Sequence, residues 1–374
     1  MFEGKKILVL VSNDLVTDQR VYRICNTIQK ANFKLELWGR ARAKSMELPF
    51  WPWHSKRFNL LFETGPLFYF SLTFTFFFRL LFSKFDVIYA NDLDTLLPAY
   101  LVSKLRSKVL IYDTHEYFTG VPELAERPRI RAIWKSIESF IFPKLKYVFT
   151  VNKSIADLYA SEYHVLPLVM RNIPIAEDVK LISNRLELGL PQNEFLIILQ
   201  GNGINIERGA EEAVEMMKYL EDCALIIVGA GDVIPILKMK VKEEKLQDKV
   251  LFFSRMPYKE LAQFTLNCDL GLSLDKPTNI NYQLSLPNKL FDYIRAEIPI
   301  LASNLIEVSN IVNKFKVGEI ALNYEPKYLA QKVINLKNNK VLQDFYKANC
   351  KEAKLLLTWE NESKVLLNLL RQLK

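Results

Sequence analysis

The feature that most constrains this chain is a repeated alternation of short, unbroken apolar runs with segments of helical length. In the first half the runs are Ile7–Val11, Leu35–Trp38, Val87–Ala90, Val109–Tyr112 and Val148–Val151. In the second half they are Leu196–Leu199, Leu225–Val228, Leu251–Phe253, Leu270–Leu274, Ile298–Ala302 and Ile320–Leu322. Successive side chains of a strand point to opposite faces, so an unbroken apolar run needs cover on both. Helical segments between the runs supply that cover, which predicts α/β architecture with parallel sheets. The pattern occurs twice, on either side of Arg171–Asn193, a stretch with Pro174 and Pro191 and no strand pattern. Two domains are therefore expected, at 1–175 and 176–350. The remainder, 351–374, reads as helical, with apolar positions at Leu355, Leu356, Trp359, Leu366, Leu369 and Leu370. It is expected to pack outside or to bridge back to the first domain.

Half the residues are hydrophobic and a quarter charged, which excludes a disordered chain. The net charge of +8 suits anionic lipid, phosphorylated substrates or nucleic acid. Because the basic residues are dispersed and no recognised binding motif appears, nucleic acid is not an expected partner. Cys25, Cys223, Cys268 and Cys350 form no C-x-x-C pair and no metal-type spacing, so buried thiols in a reducing compartment are expected. The N-terminus reads as a first strand rather than a signal peptide, which points to the cytoplasm. Phe58–Phe82 is rich in Phe and Leu, and Pro66–Phe82 is only 17 residues long. That is short for a membrane span. It is expected as a buried helix of the first domain. The alternative is peripheral membrane contact through 51–84, where aromatic residues lie beside Lys56, Arg57, Arg79 and Lys84.

Parallel sheets bind ligands at the carboxyl ends of their strands. After the first strand come Ser12, Asn13, Asp14 and then Asp18 and Arg20, residues that suit either an anion site at a helix start or ordinary N-capping. No G-x-G-x-x-G stands there, which argues against a dinucleotide-dependent dehydrogenase. Asp92 and Asp94 read chiefly as a helix cap and first turn rather than as a metal-binding D-x-D pair. His115, at a strand end between Asp113 and Glu116, is a candidate cleft residue. In the second half, Gly201-Asn202-Gly203 with Arg208, then Gly229 and Gly231, form two successive glycine loops. Together they point to a phosphate-bearing ligand. Asn288, Lys289 and Asp292 open a helix, where a cation and a carboxylate spaced i, i+3 share one face.

These segments together resemble the GT-B glycosyltransferases, and within them glycosyltransferase family 4, over nearly the whole chain. The similar segments include "DVIYANDLDTLLPAYLVSKL", "IYDTHEYF", "GNGINIERGAEEAVEMM", "ALIIVGAGD" and "LPNKLFDYIRAEIPILAS". The resemblance implies two Rossmann-like domains with parallel sheets facing across a cleft. It implies a nucleotide-sugar donor, UDP- or GDP-linked, held by the second domain. A glycan or lipid-linked acceptor would be contacted by the first, through Asn13, Asp18, Arg20, Asp92, His115 and Glu116. Donor contacts would come from Gly201, Asn202, Gly203, Arg208, Gly229, Gly231, Asn288, Lys289 and Asp292, and His115, Arg208 and Lys289 would carry catalysis. Configuration would be retained without a metal or other cofactor. The setting implied is surface polysaccharide or glycoconjugate synthesis on the inner face of the cell membrane. Asp292 matches the second acid of the family's E-x7-E motif. Leu284 replaces the first, and Asn202 stands where many members carry arginine, with Lys289 supplying the lost charge. The departures leave a second reading, a non-catalytic homologue that binds nucleotide or glycan as a scaffold.

Overall fold

A computed structural model describes residues 4–16, 18–43, 45–121, 124, 127–177 and 179–373. The chain forms two compact units, one of Met1–Asn172 with Trp359–Lys374, the other of Ile173–Thr358. The boundaries expected at 175 and 350 thus stand against 172 and 358. The segment read as a linker is partly core, since Ile173 and Leu190 are buried inside the second unit.

The first unit is built on seven strands: β1 (Lys6–Leu10), β2 (Lys34–Arg40), β3 (His54–Phe58), β4 (Val87–Asn91), β5 (Val109–Thr114), β6 (Tyr147–Thr150) and β7 (Leu168–Val169). Their order is β3-β2-β1-β4-β5-β6-β7 and every pairing is parallel. Direction of build-up reverses between β1 and β4, which makes the loops after those strands the natural ligand position. β3 was not legible as a strand. It lies at the sheet edge with an exposed, polar pattern, HSKRF, so it lacks the apolar run that marked the others. The last residues dock on this unit. Trp359 is buried and its indole Nε1–H donates to Thr27 Oγ1 at 2.8 Å, while the Arg171 guanidinium pairs with Glu362.

The second unit holds β8 (Phe195–Gly201), β9 (Cys223–Gly229), β10 (Val250–Phe253), β11 (Leu270–Ser273), β12 (Ile300–Ser303) and β13 (Gly318–Ala321). Their order is β10-β9-β8-β11-β12-β13, again parallel, with the reversal between β8 and β11. Alternate residues of β8 enter two different cores: Ile197 and Leu199 face one helical layer, Leu196 and Ile198 the other. This is the two-sided burial that the unbroken runs require.

Candidate functional sites

In the second unit, a charged cluster sits at the reversal point. β8 runs into a loop that ends in Arg208, flanked by Glu207 at φ 66° and Gly209 at φ 80°. A side chain on Gly209 would meet the Leu274 carbonyl oxygen at 2.3 Å, so glycine lets this loop close on the end of β11. The closure brings Arg208 to Asp275: Nε donates to Oδ1 at 2.5 Å, and Nη1 donates to the Gly203 carbonyl at 3.3 Å. Lys289, from the helix Asn288–Arg295, reaches the other oxygen of Asp275 at 3.1 Å. Asp275 is fully buried, Lys289 largely so, and Arg208 keeps about a quarter of its side chain in solvent (25%). Burial alone would raise the Asp275 carboxyl, but Lys289 and Arg208 reverse this and hold it below its ordinary range. Lys289 is pushed below the ordinary lysine value by burial and by the neighbouring Arg208, with Asp275 opposing. Two cations around one carboxylate leave net positive charge, and the Arg208 fork is its more exposed member. Such a fork matches phosphate oxygens.

On the same helix, Asp292 accepts from Gln200 Nε2 at 3.0 Å, and Gln200 Oε1 in turn accepts from Thr265 Oγ1 at 2.7 Å. Gln200 and Thr265 are buried, so this relay fixes the carboxylate's orientation. Asp292 and Gln200 line a cavity that Tyr258, Leu261 and Arg295 share. Asn288 is exposed in the first turn of the helix, and Asn202 is exposed in the glycine loop. Gly229 and Gly231 have a structural explanation. Side chains there would meet the carbonyl oxygens of Gly201 and Ile204 at 1.8 and 1.9 Å. Loop-on-loop packing therefore requires these two glycines. Leu284 is buried beside the short helix Ile280–Gln283, its apolar side chain packed inward.

In the first unit, the loops after β1, β4 and β5 gather a second cluster. Asp92 directly follows β4, at φ 59° and ψ 166°, backbone that a non-glycine residue adopts at a cost of about 1–3 kcal/mol. It makes no side-chain cap, which corrects the capping expectation. Its carboxylate turns to His115, accepting from the backbone N–H at 3.0 Å and facing Nδ1 at 3.2 Å. The other imidazole nitrogen lies 3.7 Å from Asp113. Burial would lower the His115 pKa, but Asp92 and Asp113 outweigh it and raise it to about 9. Asp94 is raised to about 7, by burial first and then by Asp92.

Arg20 is 3% exposed. It grips Asp113 with two bonds, of 3.1 and 2.7 Å, and donates to the Met170 carbonyl at 2.7 Å. Arg20 is thus a clamp beneath the site, where a ligand contact had been expected. Asp18 caps the helix Gln19–Lys30, accepting from Val21 N, and its other oxygen accepts from Asn13 Nδ2 at 2.8 Å. Glu116 sits in the loop after β5, its carbonyl accepting from Thr114 Oγ1. Sequence reading missed Asp275, Gln200 and the role of Asp113. Asp275 carried a usable signal, since it directly follows an apolar run.

The imidazolium makes a direct prediction. An NMR titration of His115 is expected to give a midpoint near 9, and Asp92→Asn to lower it by about one unit or more. The stability linkage has a definite sign. A pKa raised from 6.5 to about 9 stabilises the fold fully below 6.5, and that contribution, of order 3 kcal/mol, fades as pH climbs to 9. Flat stability of the first unit between pH 6.5 and 9 would contradict it.

The folds of both units match known proteins. Sucrose-phosphate synthase from Thermosynechococcus elongatus aligns with a TM-score of 0.79 at 16% identity, covering 99% of each chain. HepE from Anabaena, in a complex with UDP and glucose, aligns at 0.75 and 14%, covering 99% of this chain and all of that one. WaaG, a glycosyltransferase involved in lipopolysaccharide biosynthesis, aligns at 0.68 and 15%, covering 96% and 98%. No curated protein sequence matches the chain. The structural likeness shows the GT-B fold: two Rossmann-like α/β halves with parallel sheets. Residues 184–353 match the family model for glycosyl transferases group 1. The chain thus carries a glycosyltransferase domain, and the Arg208–Asp275–Lys289 cluster lies inside it.

Proposed function

We propose that the chain is a glycosyltransferase of family 4. It moves a sugar from a nucleoside diphosphate to a hydroxyl of a glycan or lipid-linked acceptor, with retained configuration and without a metal. The observation that carries this reading is the positive cluster of Arg208 and Lys289 around buried Asp275, at the reversal point of a glycosyl transferases group 1 domain. The departing diphosphate carries the charge that must be stabilised, and fixed cations in a partly dry site do so without reorganising. In this reading Asp292, oriented by Gln200, accepts ribose hydroxyls. The complex of HepE with UDP supports UDP as the nucleotide, and the involvement of WaaG in lipopolysaccharide biosynthesis supports a glycoconjugate acceptor. The buried free thiols support a cytoplasmic setting. His115, held as an imidazolium, suits hydrogen bonding to a hydroxyl or stabilising negative charge rather than removing a proton.

The test is thermal stabilisation by UDP, GDP, ADP, CDP and TDP with EDTA present. A ligand at one hundred times its Kd adds about 2.7 kcal/mol of stability. One nucleotide is expected to shift the transition, and its sugar conjugate to be hydrolysed or transferred. Buried Leu284 favours one rival, a non-catalytic nucleotide binder. A nucleotide shift with no turnover of any sugar conjugate would select it. No shift at all, even with Mn²⁺ or Mg²⁺, would overturn the donor site.

A further inference from the structure

The helix Gly65–Phe82 divides sharply into two faces. Phe68, Leu72, Phe76 and Leu80, spaced four apart, are buried, and Phe76 packs on Trp38 and Phe58 of the sheet with ring centroids 6.4 and 6.1 Å away. The opposite face is also apolar, yet open: Phe70 is 67% exposed, Phe74 55% and Phe78 43%, with Leu67 beside them at 54%. The three phenylalanines contact one another in a continuous ridge, with centroids 6.2 and then 4.5 Å apart. A soluble helix usually turns charge to water on this side. The sequence expectation of a buried helix therefore describes only half of it.

The surrounding charge is predominantly basic. The helices Gly65–Phe82, Leu93–Leu105 and Pro128–Ile141 pack side by side through the ring pairs Tyr69–Trp134 and Tyr100–Phe140 and through contacts between the first two. They carry no exposed carboxylate: Glu138 is fully buried, and Asp94 belongs to the strand-end cluster. Their exposed charges are Arg79, Lys104, Arg129 and Arg131, with Lys84 and Lys144 just beyond the helix ends, against the exposed Glu63 before the first helix and the part-exposed Asp86 after it. Aromatic side chains rimmed mainly by cations complement the headgroup layer of an anionic bilayer.

We propose that the outward face of this helix, through Phe70, Phe74 and Phe78, docks on an anionic lipid surface, with Lys84 and Lys104 meeting the headgroups. The helix lies in the interface and does not span. Its 18 residues, with mean hydropathy 1.4, would reach about 27 Å against a hydrocarbon core of about 30 Å. Spanning would also strip Phe68, Leu72, Phe76 and Leu80 from the sheet. The docking surface is independent of the sugar-transfer reading, and either can fail alone.

The experiment is co-sedimentation of the full chain with phosphatidylcholine vesicles, with and without phosphatidylglycerol. Binding is expected to need phosphatidylglycerol and to weaken with salt. Phe70→Ser, Phe74→Ser and Phe78→Ser combined should reduce it by at least about tenfold. Thermal unfolding should stay near wild type, because those side chains already face water. Lys84→Glu with Lys104→Glu should reduce binding to anionic vesicles while leaving the ridge intact. Wild-type protein that ignores anionic vesicles, or a triple serine variant that binds them equally, overturns the proposal. So does a concentration-dependent dimer that the serine variant abolishes without any lipid binding, which would make the ridge an interface between two copies of this chain.

Discussion

Arg208→Ala is expected to lower kcat/KM for sugar transfer by roughly 10²–10³, the range for removing one fixed electrostatic donor to a developing negative charge. The effect should fall on kcat as well as on donor affinity, because diphosphate charge grows as the sugar leaves. Folding should survive: Arg208 keeps a quarter of its side chain in solvent, and Asp275 retains Lys289 as a partner. Arg208→Lys restores the charge without the fork and should recover only part of the rate. Lys289 adds a pH signature. Its pKa in the free protein lies below the ordinary lysine value, and only the protonated form attracts phosphate. Donor affinity should therefore decline on the alkaline side before an ordinary lysine would titrate, and Lys289→Arg should remove that decline. Unchanged kcat/KM in Arg208→Ala, measured at several donor concentrations, would remove this cluster from the chemistry.

The chain's architecture was legible because burial on both faces of a parallel sheet leaves unbroken apolar runs, and those runs are visible without coordinates. The exceptions have physical causes. β3 is a polar edge strand, and β7 is only two residues long, so neither forms such a run. The site was legible where one residue type in one motif sufficed, as for Arg208, Lys289 and Asp292. It was not legible where the role depends on what lies opposite in space. Asp275 joins two cations that come from segments far apart in sequence, and Gln200 owes its importance to Thr265 behind it and Asp292 before it. Asp92 shows the same limit from the other side. Its sequence context is that of a helix cap, yet its backbone at φ 59° turns the carboxylate to His115. Only the fold reveals that His115 is brought against two acids.

That arrangement rests on the clamp below it, and Arg20→Ala is expected to destabilise the first unit by about 3–5 kcal/mol, the usual loss when one member of a buried ion pair is removed. Asp113 is fully buried and would keep only Tyr89 Oη, at 2.9 Å, and the more distant His115 imidazole. The Met170 carbonyl would lose the Arg20 donor as well. For a unit of this size the melting temperature should fall by roughly 10 °C in calorimetry. The second unit has its own cores, so its response to the nucleoside diphosphate should persist below the new transition. Asp113 should then protonate more readily, since burial raises its pKa and Arg20 is the leading influence that lowers it. The loss should accordingly be smaller in acid than in base. The double variant Arg20→Met with Asp113→Asn removes both charges and should recover much of the stability, since a buried pair contributes little over a neutral replacement. It would also free one side of His115, drawing its pKa down from about 9 while Asp92 still holds it above the ordinary value. A single variant that unfolds within about 1 kcal/mol of wild type would show that Asp113 reaches water, and the proposed clamp beneath His115 would fall with it.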